Sequence, residues 1–188
     1  MALAAFGGGS MVVALALPRL LDRLPDRPVM LAGAGILAVA TLAAAAIESY
    51  EMLLIVWFVV GVGYSLAQTP SGRLLRRSSH AEDRPALFAA QFALSHACWL
   101  VTYPLAGWAG ASFGLSATAM LLTITATAGT LAAINLWPSA DPEIIEHSHE
   151  ALPSSHPHWK EGNSDGRHRH AHPFVIDDLH ASWPNARP

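Results

Sequence analysis

The sequence has little charge and almost no cysteine. Asp, Glu, Lys and Arg make up only 13% of its 188 residues, whereas hydrophobic types make up 52%. A formal net charge of −3 provides no basic surface of the kind that binds nucleic acid, so we expect no such partner. The single cysteine, Cys98, excludes an intrachain disulfide framework. The first basic residue, Arg19, follows the initial apolar run rather than preceding it, which is not typical of a secretory signal.

Long apolar stretches are what the sequence does contain. Each is about as long as a helix must be to cross the ~30 Å core of a bilayer at ~1.5 Å per residue. Because hydrocarbon offers backbone groups no water to bond, such stretches are expected to be helical. We therefore predict an all-α membrane protein, with a transmembrane domain over residues 1–140 and a disordered C-terminal tail over residues 141–188. The five predicted transmembrane helices are about 1–17, 29–47, 52–68, 86–109 and 115–137.

Arginine occurs in only two of the four connections between these helices. Loops on the cytoplasmic side collect Lys and Arg, so the first and third connections are predicted to be cytoplasmic, the N-terminus outside and the tail inside. In the third connection, residues 69–85, we expect a solvated loop whose Arg76 and Arg77 only set this topology. A short surface helix near anionic lipid is the alternative. The arginines are Arg19, Arg23 and Arg27 in the first connection and Arg73, Arg76, Arg77 and Arg84 in the third.

Glycine is concentrated within the predicted helices. Small residues let helix backbones approach closely in lipid, where no hydrophobic drive acts between helices. We expect these glycines to serve close packing, and bending is the alternative for each. They are Gly7, Gly8 and Gly9 in the first helix, Gly33 and Gly35 in the second, and Gly61 and Gly63 in the third.

The first connection resembles the loop motif of the major facilitator superfamily, G-x-x-x-D-R-x-G-R-R/K. Asp22 and Arg23 match the motif directly, and Arg27 matches its final basic position. Prolines replace its two glycines, and Asp26 replaces its first basic residue. Residues 102–107, TYPLAG, are similar to the G-P-x-x-G element of the same family.

The resemblance implies a secondary transporter that moves a small solute by alternating access and is not an enzyme. The five helices would be about helices eight to twelve, a partial half-bundle that needs an N-terminal half as its partner. It implies a gating role for Asp22, Arg23 and Arg27, with a purely topological role as the alternative. Because the apolar run begins at Met1, we expect a truncated C-terminal portion, or else a genuine short first helix.

Polar and aromatic side chains share one face of the fourth predicted helix. At 100° per residue, Gln91, Ser95, Cys98 and Thr102 fall within about 60° of each other. Apart from Tyr and Cys, His96 is the only ionisable side chain well inside a predicted helix. We expect His96 to bind substrate or carry a proton, and a structural hydrogen bond to a neighbouring helix is the alternative. Weaker candidates for the substrate pathway are Gln91, Tyr64 and Gln68, and no residue is predicted to be catalytic.

The tail contains eight of the ten histidines. Imidazole suits Zn, Ni, Cu and Co, and alternate side chains of an extended chain share a side, so each H-x-H pair can approach one ion. The tail resembles the His-rich tails of some bacterial nickel and cobalt exporters in the same superfamily, which implies location in a bacterial inner membrane. We expect weak metal binding by the tail and no other cofactor, and a tail with no specific role is the alternative. For the whole protein, the alternatives are a Ni/Co exporter, a non-transporting membrane protein with a metal-buffering tail, or an inert fragment. The residues are His147, His149, His156, His158, His168, His170 and His172, and apolar residues 173–183 are expected to dock against the membrane domain or to be disordered.

Overall fold

The structure is a computed structural model that describes residues 1–21, 23–139, 141–149, 152–153, 156–160, 163–164 and 169–183. Five helical segments in it are long and apolar enough to cross a membrane. This confirms the predicted all-α membrane protein with five transmembrane helices. The helices of the described residues are α1 (Ala2–Leu21), α2 (Asp26–Ala44), α3 (Tyr50–Gln68), α4 (Ser71–Arg77), α5 (Arg84–Phe113) and α6 (Leu115–Leu136).

Several helices extend beyond their apolar stretches. The first continues through Pro18 to Leu21, and the second begins at Asp26 rather than near residue 29. Backbone hydrogen bonding continues through the polar residues that flank each apolar stretch, so apolar length underestimates helix length. Helices α5 and α6 are joined by Gly114 alone, whose φ of 84° is one that a side chain would strain.

The helices pack unevenly. Helix α3 lies against both α1 and α2, while α2 also contacts α6, and α6 contacts α5. A buried apolar core joins Val13, Leu17 and Val29, flanked by Val62 and Leu66 of α3. Of the thirty residues of α5, all of which the structure describes, only Ala109 is buried. The face of α5 that carries the predicted pathway residues is therefore open.

Glycines mark the closest approaches between the helices. A Cβ on Gly9 of α1 would overlap the carbonyl oxygen of Phe58 on α3, and a Cβ on Gly61 would overlap the carbonyl oxygen of Phe6. Gly33 of α2 also lies against the backbone of α3, because a Cβ there would come within 2.5 Å of the backbone nitrogen of Ala67. At these positions the expected packing role is what the structure shows. A methyl group added at Gly7 or Gly35 would meet no atom within 4 Å, so these two glycines do not take part.

The tail contains a small antiparallel sheet where composition predicts disorder. Its strands are β1 (Ile144–Ser148), β2 (Asn163–Ser164) and β3 (Arg169–Pro173), in the order β1-β3-β2, with a 3₁₀ turn at Pro157–Lys160. Alternation along β3 buries His170 and His172, and His170 pairs with His147 of β1. The tail has few aliphatic side chains, and imidazole rings take their place in its interior. The domain boundary near residue 140 stays a prediction.

We expect Gly9→Ala to lower the free energy of unfolding by about 1–3 kcal/mol, because the added methyl group collides with the backbone of α3. The measurement is the apparent unfolding temperature in detergent. Gly7→Ala is the matched control, since it adds the same group in open space and improves helix propensity by ~1 kcal/mol. Equal shifts in the two variants would contradict close packing of α1 on α3.

Candidate functional site

A buried ion pair links α2 to α4. Asp26 is the first residue of α2, and its side chain is only 2% exposed. The Nε of Arg73 donates to both carboxylate oxygens of Asp26, at 2.9 and 3.1 Å. The partial positive charge at the start of α2 also favours the carboxylate. Hydrogen bonds and an opposite charge therefore replace the water that the Asp26 side chain has lost.

Arg73 also reaches two further segments. One terminal nitrogen donates to the carbonyl of Leu21 at the end of α1, at 3.1 Å, and the other donates to Oε1 of Glu143, at 2.6 Å. The backbone N–H of Asp26 donates to the same Glu143 oxygen at 3.3 Å. One guanidinium thus joins α1, α2, α4 and the segment that leads into β1.

Arg27 binds the end of α6. Its Nε donates to the carbonyl of Trp137 and a terminal nitrogen donates to the carbonyl of Ile134, both at 3.1 Å. These carbonyls belong to the last turn of the helix and its cap, where a cation complements the helix dipole. Arg27 therefore fixes the start of α2 beside the end of α6.

Arg77 does more than set topology, which corrects the interpretation of the third connection as a solvated loop. That connection contains α4, and a terminal nitrogen of Arg77 donates to Asp141 at 2.6 Å. Trp137 Nε1 donates to the same carboxylate oxygen at 2.9 Å. The tail adds to this contact, since Ile176 donates to the carbonyl of Arg77 and the Trp183 ring lies 5.2 Å from its guanidinium carbon. The apolar segment 173–183 is thus docked rather than disordered.

We call the set formed by Asp26, Arg27, Arg73, Arg77, Asp141 and Glu143 the charged cluster. Of the predicted gating residues, Arg27 belongs to it, Arg23 is exposed, and Asp22 lies outside the described residues. Sequence reasoning missed the others, although Asp26 gave a signal: it places an acid where the family motif has a base. A reversed charge of this kind indicates a basic partner elsewhere in the chain.

The aromatic face of α5 surrounds His96. Its Nδ1 lies 2.8 Å from the carbonyl of Phe92, in its own helix, and its ring centroid lies 3.7 Å from that of Phe92 and 4.5 Å from that of Trp99. Trp99 stacks in turn on Tyr103, at 6.0 Å. The hydrogen bond found for His96 is therefore local, not to a neighbouring helix. Its proposed role in a pathway stays a prediction.

The other pathway candidates divide between two parts of the bundle. Gln91 is half-buried on α5, whereas Tyr64 and Gln68 lie on α3, half-buried and exposed respectively. Tyr64 packs on Phe6 of α1, with ring centroids 5.5 Å apart. Because α3 packs on α1 and α2 while α5 packs on α6 and α4, the chain itself does not gather these four side chains at one packed interface.

Histidines of the tail form one compact group. Two overlapping sets of four have ligand atoms that all lie within 4.8 Å of one another. His180 belongs to one set although it lies outside the H-x-H repeats, and sequence reasoning missed it. His156 accepts from the backbone N–H of His158 and belongs to neither set, while His168 lies outside the described residues. The sets are His147, His158, His172 and His180, and His147, His149, His158 and His170.

Burial favours the neutral form of three of these imidazoles. Removal from water, and to a lesser extent the positive charges that neighbouring histidines would carry, lowers the pKa of His147 and of His170 to about 4. The same causes lower the pKa of His149. Neutral imidazole is the form that binds metal, so the lowered pKa of these three histidines favours metal binding near neutral pH.

Five apolar helices that meet at a charged end define an integral membrane protein built as a helix bundle. The sequence model of the Major Facilitator Superfamily matches residues 1–175. The chain therefore belongs to the Major Facilitator Superfamily, whose members are transporters rather than enzymes. No curated protein matched the chain, and no solved structure matched it either.

We expect Arg73→Ala to lower the free energy of unfolding by about 3–5 kcal/mol, because it leaves the Asp26 carboxylate buried without its partner. Arg76→Ala is the control three residues away: Arg76 is exposed, its Nε donates to Gly72 of its own helix, and its loss should change stability by less than about 0.5 kcal/mol. Unfolding temperature in detergent measures both. Restoration of stability by Asp26→Asn in the Arg73→Ala background would identify the buried charge as the cause.

Acid is expected to open the sheet of the tail. Between about pH 6.5 and about pH 4 the unfolded tail takes up protons that folded His147 and His170 do not, so the stability present above pH 6.5 is lost as the pH falls. Hydrogen exchange at β1 and β3, corrected for the intrinsic effect of pH, should become faster at about pH 5 than at about pH 7.5. Amides of α3 serve as the reference. Unchanged protection of both strands would contradict the prediction.

Proposed function

We propose that the chain forms part of a secondary active transporter that moves a small solute by alternating access. Its five membrane helices would be about helices eight to twelve of the family's bundle, and an N-terminal half would be its partner. The observation that carries this proposal is the charged cluster. It holds the ends of α1, α2, α4 and α6 together at one end of the bundle through contacts between groups 47 to 117 residues apart.

Ion pairs at helix ends suit a gate. A packed apolar core resists gradual change, whereas guanidinium–carboxylate contacts can break and re-form as helices shift by a few ångströms. Arg27 and Arg73 come from the two arginine-rich connections, so the positive-inside rule assigns this end to the cytoplasm. With five spans, the N-terminus would then lie outside a bacterial inner membrane and the tail inside.

The open face of α5 is the proposed pathway. Transporters of this kind place their substrate near the midplane, between two halves of the bundle. His96 lies on this face beside Phe92, Trp99 and Tyr103, and the last three are each at least 40% exposed. Exposed aromatic rings beside a half-buried imidazole, on a helix with a single buried residue, fit a surface that meets a solute or the opposing half.

The test is a transport assay in vesicles on the chain reconstituted together with its N-terminal half, with the solute found first by its stabilisation of that complex against heat. We expect gradient-driven accumulation that His96→Gln reduces at least about tenfold, if His96 binds the solute or carries a proton. His80→Gln is the control, because His80 lies in the connection between α4 and α5. Normal transport by His96→Gln would remove His96 from the pathway, and no transport of any stabilising solute would contradict the function.

A metal cation as the transported solute is the second candidate. The observation that favours it is the compact group of imidazoles beside the charged cluster. Cells that express the protein should then retain less Ni²⁺ or Co²⁺ than cells that express the Arg73→Ala variant. Metal binding without any such difference would favour a membrane protein that only buffers metal.

A further inference from the structure

Three histidines of the tail are oriented by hydrogen bonds from Nδ1. The Nδ1 of His147 lies 3.0 Å from the carbonyl of Ile145, and the Nδ1 of His172 lies 2.8 Å from the carbonyl of Pro173. The Nδ1 of His180 lies 2.8 Å from the carboxylate of Asp177. Each of these oxygens can only accept, so each Nδ1 must carry the proton. A neutral imidazole of that tautomer has a bare lone pair on Nε2.

Two of these lone pairs face each other. The Nε2 atoms of His147 and His180 are 2.9 Å apart, which is stable only when a cation lies between them or beside them. The Nε2 of His172 is buried and has no hydrogen-bond partner. A proton would serve one pair of nitrogens and leave His172 unsatisfied. A metal ion would accept all of the lone pairs at once.

The spacing of the ligand atoms fits a four-coordinate ion. Those of His147, His158, His172 and His180 lie within 4.8 Å of one another. Metal–nitrogen bonds of ~2.0–2.1 Å in a tetrahedron place the nitrogens about 3.3 Å apart, so small side-chain movements complete the site. The second set of four shares His147 and His158 with the first, so the two sets cannot be filled by separate ions at the same time.

We propose that the tail binds one divalent transition-metal ion, of the Zn²⁺ or Co²⁺ type, in a tetrahedral site formed by His147, His158, His172 and His180. Asp177 is a positioning residue, because it fixes the tautomer and direction of the His180 ring. Four nitrogen ligands select against Mg²⁺ and Ca²⁺, which prefer oxygen. The site is a resident one, and its occupancy does not depend on what the membrane domain transports.

Titration with Co²⁺ tests the site directly. The probe is the metal alone, added to the full-length protein in detergent after removal of any affinity tag, with visible absorption as the readout. We expect one ion per chain, the intense bands of tetrahedral Co²⁺, and displacement by Zn²⁺. A weak octahedral spectrum, or several equivalent ions per chain, would overturn the proposal.

Variants separate this site from the simple H-x-H repeats. His180→Ala should weaken Co²⁺ binding at least about tenfold and remove the tetrahedral bands, although it leaves every H-x-H pair intact. His156→Ala interrupts one such pair yet should bind Co²⁺ as before, because His156 belongs to neither set. Equal loss in both variants, or none in His180→Ala, would overturn the proposal.

Replacement of a proposed metal-binding histidine by cysteine tests whether the loss of Co²⁺ binding in His180→Ala is caused by misfolding. In a Cys98→Ser background, His180→Cys supplies a thiolate at the same position, and a sulfur-to-cobalt charge-transfer band in the near ultraviolet should appear only if residue 180 is a ligand. Asp177→Asn should retain the tetrahedral bands but lower the affinity about 10–100-fold. Absence of the charge-transfer band in the first variant, or unchanged affinity in the second, would contradict the assigned roles. Failure of transport would leave all these results unaffected.

Discussion

The contact between Asp26 and Arg73 is the interaction on which the charged end of the molecule depends. A carboxylate removed from water is costly unless an opposite charge and hydrogen bonds replace the lost hydration. Arg73 supplies both to Asp26 and directs its remaining donors to Leu21 and Glu143. The start of α2, the end of α1 and the entry to the tail therefore share one guanidinium, so a change at any of them is felt at the others.

The apolar part of the bundle obeys a different constraint. In lipid, no hydrophobic driving force brings helices together, so their association depends on how closely two backbones can approach. Gly9, Gly33 and Gly61 provide that approach around α3, and these contacts make α1, α2 and α3 the most tightly packed group. Helix α5 has no such contact in the part of the chain that the structure describes. The molecule thus combines a closely packed group of three helices with an open face that carries His96.

The sequence predicts the spans because each one depends on its own composition. In lipid, every stretch must form its backbone hydrogen bonds within itself, so a span can be recognised without reference to distant residues.

The charged cluster is different. Arg73 contacts Asp26 and Glu143 across 47 and 70 residues, and nothing local in either segment identifies the partner. His180 shows the same limit, since it joins His147 from 33 residues away. H-x-H spacing predicts that the histidines of β3 share a side, but not that His158 and His180 approach them from outside the sheet. Composition also predicts a disordered tail, because histidine is classed as a polar residue. In the structure, the imidazole rings pack on one another and are buried.

Helix α5 has thirty residues and is therefore about 45 Å long, some 15 Å more than the hydrocarbon thickness of a typical bilayer. A helix of this length either tilts strongly in the membrane or extends beyond it by about two to three turns in total. Its first residues, Arg84 and Pro85, follow the connection from α4, the helix that carries Arg73 and Arg77, so an overhang at that end would lie on the same side of the membrane as the charged cluster. A change in the tilt of α5 would then move this overhanging end, and the connection attached to it, sideways through water, so that a small rotation at membrane depth becomes a larger displacement outside the membrane.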